Sequence, residues 1–265
     1  MKIGIIGSGN MASALARGFL SSGTVKAQEL IISDLNTESL AKWQEFGVST
    51  TTDNQSVCAN SELIIYAVKP NILSDVLKET ANLVSKKTVV SIAAGITIET
   101  ISKILGKNNK IIRAMPNTPA QVGCGMTVLS PNKNIKADEL KAVEHLFSGA
   151  GSVVVLDEKY INTATALHGS SPAYVYMLID AMADSGVKHG IPKNIALQLA
   201  AKAVEGAAKM VTETNQHPGA LKDAVCSPGG TTIAAVLELE KNGFSSAVTR
   251  AIDACIKKAD EMSEK

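Results

Sequence analysis

The spacing that most plainly serves chemistry stands near the start of the chain. Ile6-Gly7-Ser8-Gly9-Asn10-Met11-Ala12 follows a short apolar run and opens a helical pattern. It fits G-x-G-x-x-A, the fingerprint by which a strand–turn–helix receives a dinucleotide pyrophosphate. Gly7 allows the tight turn, Gly9 lets the backbone approach the phosphates, and Ala12 keeps the helix close to the strand. The helix N-terminus offers unpaired N–H groups to the anion. An isolated tight turn is the plainer alternative, and the strand–turn–helix context weighs against it.

A second strand ends at Ser33-Asp34. Asp34 lies 22 residues past Ala12, close to the separation at which an acid meets the ribose 2′-hydroxyl of NAD. Ser33, Asn36 and Thr37 offer hydrogen bonds to a 2′-phosphate, and no Arg stands beside them. The pattern leans to NADH and leaves NADPH open. Capping of a helix that starts near Thr37 is an equal alternative for Asp34. Two further loops end apolar runs and are expected to wall the same cleft: Ala67-Val68-Lys69-Pro70 and Ala93-Ala94-Gly95. Taken alone, Lys69 reads as a solvated loop charge.

Farther on, Cys226-Ser227-Pro228-Gly229-Gly230-Thr231-Thr232 breaks a helical stretch. Pro-Gly-Gly is a turn, and Thr231-Thr232 precede a helix expected from Ile233. Such a helix start binds a carboxylate. From these residues alone, ordinary capping by a Thr is the stronger reading.

The elements that must position these groups divide in two. Candidate strands at Lys2–Ile6, Leu30–Ser33, Leu63–Val68, Thr88–Ile92, Lys110–Ala114 and Val153–Leu156 are rich in Ile and Val, as strands covered on both faces are. Helical patterns at Met11–Ser22, Ile72–Val84 and Ala137–Phe147 alternate with them. The alternation predicts a doubly wound α/β domain over 1–157. After Asp157 only helices are expected, at Ser171–Ser185, Lys193–Thr214, Ile233–Lys241 and Ala247–Met262, which makes 158–265 an all-helical domain. The alanines of 193–214 suit either a buried helix or an interface with a second chain.

Composition narrows the class. The 265 residues are 45% apolar, 19% charged and 3% aromatic, with a net charge of +1. Nothing favours nucleic acid as a partner. No His, Asp or Glu spacing suits a metal. Four scattered cysteines with no CxxC point to thiols in a reducing compartment. No apolar run is long enough for a membrane span or a signal peptide, so a cytoplasmic protein is expected.

The whole chain resembles the pyrroline-5-carboxylate reductases. The matching stretches are Ile6–Met11, Ala67–Pro70, Ser91–Gly95, Arg113–Pro119, Gly169–Tyr174, His217–Asp223 and Ser227–Thr232. The resemblance implies a Rossmann domain followed by an all-α dimerisation domain that interlocks with a second subunit, with dimers that can assemble into rings. It implies hydride transfer from NADPH or NADH to the C=N bond of 1-pyrroline-5-carboxylate, giving L-proline in the last step of proline biosynthesis. The active site would lie between the Rossmann cleft and helical-domain residues, partly the partner's. Asn54, Lys69 and Pro70 would line the cofactor. Glu158 and the loop Ser227, Gly229, Gly230, Thr231 and Thr232 would hold the substrate, with Thr232 near the ring nitrogen as the catalytic residue. Two positions depart from the family pattern: His168 stands where Ser is usual, and Ala224 where some relatives carry a cofactor-contacting Asn.

Two other classes fit parts of the pattern. A hydroxyacid or ketone reductase needs a general acid such as Lys188, Lys193 or Lys222. A nucleotide sensor needs no carboxylate clamp, which the Thr231-Thr232 loop provides.

Overall fold

Apolar side chains on both faces of β1 (Ile3–Ile6), β2 (Leu30–Ser33), β4 (Leu63–Tyr66) and β5 (Thr88–Ser91) require cover on both sides, and the fold supplies it. In the computed structural model, which describes residues 1–263, these strands belong to an eight-stranded sheet. The others are β3 (Ser49–Thr51), β6 (Lys110–Met115), β7 (Gly125–Pro131) and β8 (Gly151–Val155). Their order is β3-β2-β1-β4-β5-β6-β7-β8. The first six follow the order of dinucleotide-binding sheets and run parallel. β7 runs antiparallel to β6, and β8 is parallel to β7. Neither β3 nor β7 is expected from apolar runs. β3 is three polar residues, and β7 contains the buried Thr127 and Ser130.

Helices α1 (Asn10–Ser21), α2 (Thr37–Glu45), α3 (Asn54–Asn60), α4 (Pro70–Thr80), α5 (Ile98–Leu105) and α6 (Ala137–Ser148) cover the sheet. One core lies between the sheet and α1, α2 and α6, with Leu15, Phe19, Trp43 and Phe147. A second lies under α3, α4 and α5, with Val57, Leu73, Leu77 and Ile101. α7 (Ile161–Ala164) runs into a wider π-type turn at Thr165–Gly169.

The helices that follow are α8 (Ser171–Lys188), α9 (Lys193–Thr214), α10 (Pro218–Ala224), α11 (Thr231–Lys241) and α12 (Phe244–Ser263). The chain forms two compact units: Met1–Ser170 with the residues from Ile256 onward, and Ser171–Cys255. Within the second, α8 and α9 make a close antiparallel pair. A Cβ added at Gly186 would stand 3.0 Å from that of Ala196. Only Ala183, Ala196 and Ala200 are buried among the described residues of this unit, whereas Tyr176, Met177 and Leu199 are exposed.

Candidate functional site

The strand registers bring the predicted cofactor loops to one edge. Ile6 is level with Ser33 and Tyr66, and Tyr66 with Ser91, so β1, β2, β4 and β5 end together. Gly7 N–H donates to Ser33 O (2.7 Å), and Ala67 N–H to Ile6 O (2.8 Å). Gly7 has φ +101°, and a Cβ there would stand 2.7 Å from Ala67 O, so the turn excludes any larger residue. Gly9 is the N-cap of α1 with no side chain bonded over the helix end. Nothing lies within 4 Å of where its Cβ would be. The first amides of α1 therefore open onto free space, as a pyrophosphate cradle requires. Ala12 is buried, Met11 half-buried and Asn10 exposed.

Asp34 turns toward this loop. Ser8 donates to its Oδ2 twice, from N–H (2.6 Å) and Oγ (2.8 Å), and Asn36 N–H donates to its Oδ1 (2.9 Å). Burial pushes the Asp34 carboxyl up, but the bonds from Asn36, Ser8 and Leu35 outweigh it and hold it below the usual carboxylate value. The capping alternative falls to Asn36: its side chain accepts from Ser39 N–H (3.1 Å) at the start of α2. Ser33 is buried and donates to Asn54 Oδ1 (2.8 Å), while Asn54 Nδ2 donates to Glu79 (3.1 Å). Asn54 begins α3, which Asp53 caps.

Lys69 is the exposed N-cap of α4, and Pro70 occupies its first turn, where a missing N–H costs nothing. Val68 is half-buried and Ala94 exposed at the same edge. Ala93 is buried, its N–H donating to Ser91 Oγ (3.3 Å). Gly95 has φ +77° and lies against the Met262 carbonyl.

The segment after Gly95 is tied down by Glu158, the expected substrate residue, and through it by Arg113, to which the sequence assigns no role. Arg113 on β6 is 3% exposed; it donates to Glu158 Oε1 (3.3 Å) and to Asn162 Oδ1 (3.3 Å), while its buried Nε has no partner among the described residues. Burial pushes its guanidinium below the usual value, opposed by the Glu158 charge. Glu158 Oε1 also accepts from Ile98 N–H (2.7 Å), the first residue of α5. Asn162 in turn donates to Asp260 (2.9 Å) and Ser263 (3.1 Å). Asn117 donates to His168 O (2.9 Å) and accepts from Met126 N–H (2.8 Å). The His168 ring nitrogens lie 2.6 Å from Ala164 O and 2.8 Å from Met115 O. The signal that could have found this network is an arginine inside the apolar run Ile111–Met115, because a buried cation needs a partner.

In the second unit, α11 begins at Thr231, two residues before the expected start. Its N-cap is Gly230, with no side-chain bond over the helix end. Thr231 and Thr232 occupy the first two helical positions, so neither hydroxyl does the capping that is the stronger reading of the residues alone. Gly229 takes φ +66°, and Gly230 N–H donates to Ser227 O (3.0 Å), closing the turn. Ser227 is exposed and Thr232 half-buried. The result is a helix N-terminus with its first amides open beside two hydroxyls. Lys193 is paired with Asp180 (2.8 Å) and Asp184 (2.5 Å), whose hydrogen bonds raise its pKa.

Known proteins match this arrangement along its length. Residues 2–95 match the family model described as NADP oxidoreductase, coenzyme F420-dependent. Residues 158–262 match the model for pyrroline-5-carboxylate reductase dimerisation. The chain is 44% identical to the pyrroline-5-carboxylate reductase of Escherichia coli K12 over 99% of its own length and 98% of the relative's. The solved pyrroline-5-carboxylate reductase of Coxiella burnetii superposes with a TM-score of 0.95 at 33% identity, covering 100% of this chain and 99% of that one. The pyrroline carboxylate reductase of Plasmodium falciparum, solved with NADP bound, gives 0.89 at 32% identity, over 99% and 98%. A dinucleotide-type sheet edge, an open α11 N-terminus and likeness sustained over nearly every residue lead to one conclusion: the chain belongs to the pyrroline-5-carboxylate reductase family.

Proposed function

We propose that the protein reduces 1-pyrroline-5-carboxylate to L-proline, the last step of proline biosynthesis. Bound NADH or NADPH supplies the hydride that the C=N carbon takes up. The residues of the first unit suit that cofactor: Gly7 and Gly9 leave backbone and space for a pyrophosphate, and Asp34 offers a carboxylate near the loop. Ile6, Ser8, Asn10, Met11, Ser33, Asn54, Ala67, Val68, Lys69, Pro70, Ala93, Ala94 and Gly95 complete the cofactor-binding set.

The observation that carries the substrate assignment is the bare N-cap at Gly230. Open helix amides with neighbouring hydroxyls suit an anion such as the substrate carboxylate. Ser227, Gly229, Gly230 and Thr231 hold it. Thr232, the catalytic residue, hydrogen-bonds the ring nitrogen and steadies its proton. Glu158 serves the substrate as well, in addition to its bonds with Arg113 and Ile98. A protonated imine is already electrophilic, so positioning does most of the work. A hydroxyacid reductase would need a general acid, and Lys193, one candidate, is held as a cation by two aspartates.

In this reading residues 1–157 serve the cofactor and 158–265 serve dimerisation and substrate. The homodimer is the minimal unit, and a ring of dimers is a further level of assembly. No described helix is long and apolar enough to cross a membrane. The exposed Cys124 thiol suits the reducing cytoplasm. A label tests the reaction. Cofactor carrying deuterium at both C4 positions of the dihydronicotinamide places one deuterium on C5 of proline; unlabelled proline, or none, sinks the proposal.

A further inference from the structure

We infer that Asn162 is a positioning residue, through which the last turn of α12 holds residues 95–98, at the cofactor edge, in the form that receives the dinucleotide. The inference goes beyond the reading above and rests on its assignment of Ala93, Ala94 and Gly95 to the cofactor.

Residues 95–98 carry the chain from the loop after β5 into α5. Ile96 and Ile98 pack on the second core, and the backbone turns at Gly95 with φ +77°. The last turn of α12 meets this segment at both ends. At Gly95 the contact is direct, since a Cβ built there would stand 3.3 Å from the Met262 carbonyl oxygen. The left-handed backbone and that carbonyl together reserve the position for glycine.

At Ile98 the contact runs through a relay. Asn162 Nδ2 donates to Asp260 Oδ1 (2.9 Å) and to Ser263 Oγ (3.1 Å). Asn162 Oδ1 accepts from Arg113 Nη2 (3.3 Å). Arg113 Nη1 donates to Glu158 Oε1 (3.3 Å), and the same oxygen accepts from Ile98 N–H (2.7 Å). Three side chains thus join the end of α12 to the start of α5. All of these groups belong to the first unit, which includes α12 from Ile256 onward.

An amide suits position 162 because it accepts from a cation and donates to an anion at once. A carboxylate there would face Asp260 with like charge. An apolar side chain would leave the buried guanidinium of Arg113, whose Nε is already unpartnered, with Glu158 alone among the described residues. A segment already held in its bound form has less freedom to lose when the dinucleotide arrives.

Equilibrium binding of NADH and of NADPH to the full-length protein, without imine, tests this. Asn162→Ala should raise both dissociation constants about three- to tenfold, the worth of one or two hydrogen bonds. Asn162→Asp keeps an oxygen for Arg113 but loses the donor to Asp260, and it should weaken binding as much. Asp260→Ala combined with Ser263→Ala should reproduce the loss, and should add nothing further in the Asn162→Ala background, because the relay acts as one unit. Asp260→Asn keeps the acceptor oxygen and should bind as the wild type does. Unchanged dinucleotide affinity in Asn162→Ala, even with a lower unfolding midpoint, would make the residue merely structural and overturn the inference. Fully additive losses would overturn it too. Should Asn162→Ala fold poorly by circular dichroism, the variants at the exposed Asp260 and at Ser263 decide. A wild type that binds neither dinucleotide sinks the cofactor reading and this inference with it. Binding that answers to the relay variants, in a protein that reduces no imine, would refute the proposed reaction and support this inference.

Discussion

Thr232 is the one side chain proposed to take part in the chemistry, and its position lets that role be separated from folding. It lies in the first turn of α11, half-buried, and Gly230 rather than Thr232 caps the helix. Thr232→Ala should lower kcat/KM roughly 10- to 100-fold, the loss of one hydrogen bond to a charged group, with unfolding nearly unchanged. An unaltered kcat/KM would remove the residue from the mechanism. Arg113 makes the opposite case. It is assigned no ligand of its own, yet it is buried and bonded to Glu158 and Asn162. Arg113→Met should cost roughly 2–3 kcal/mol in denaturant unfolding, because Glu158 loses its charged partner and keeps the bond from the Ile98 amide. Wild-type stability in that variant would mean that the pair contributes nothing.

Among the elements, the helix N-termini left open behind a glycine, those of α1 and α11, are the ones proposed to bind ligand. α1 and α11 both begin behind a glycine with no side chain over the first amides, whereas α2, α3 and α5 are capped by Asn36, Asp53 and Thr97. A side chain supplied at the open end should compete with the ligand. Gly230→Ser places a hydroxyl there, and the Ser227 Oγ now 2.3 Å from that Cβ position must swing aside. The expected outcome is a KM for the imine raised about tenfold or more, with helix content preserved; an unchanged KM would show that α11 does not hold the carboxylate. The sequence is legible here in proportion to how locally each element is determined. β1, β2, β4 and β5 are continuous apolar runs, and the glycine turn follows its strand directly, so the cofactor edge can be read from residue order. β7 cannot, because its Ser130 is buried by a tertiary bond to Leu156 O (2.8 Å), which no local pattern records. α11 starts earlier than the sequence indicates because a bare glycine, rather than a threonine, takes the N-cap position.

At the scale of the whole molecule, the second unit does not close its own core. α8 is apolar on nearly every side, yet Ala183 is its one buried residue among those described, and Met177 is 73% exposed. An all-round apolar helix belongs in an interior, and a second copy of the chain supplies one. Met177→Asp should therefore shift the protein toward monomer in sedimentation at micromolar concentration, with activity lost in step. A wild type that is already monomeric would contradict the interlocked arrangement. The alanines of α9 left this choice open in the sequence; the exposure of its partner helix favours the interface.

The most direct test of the central claim is stoichiometry in a single reaction. Purified protein is mixed with 1-pyrroline-5-carboxylate and NADH, and separately with NADPH, while loss of dihydronicotinamide absorbance and formation of L-proline are followed together. The account predicts imine-dependent turnover with one proline formed for each cofactor oxidised. No proline from a folded protein that still binds both dinucleotides would contradict it.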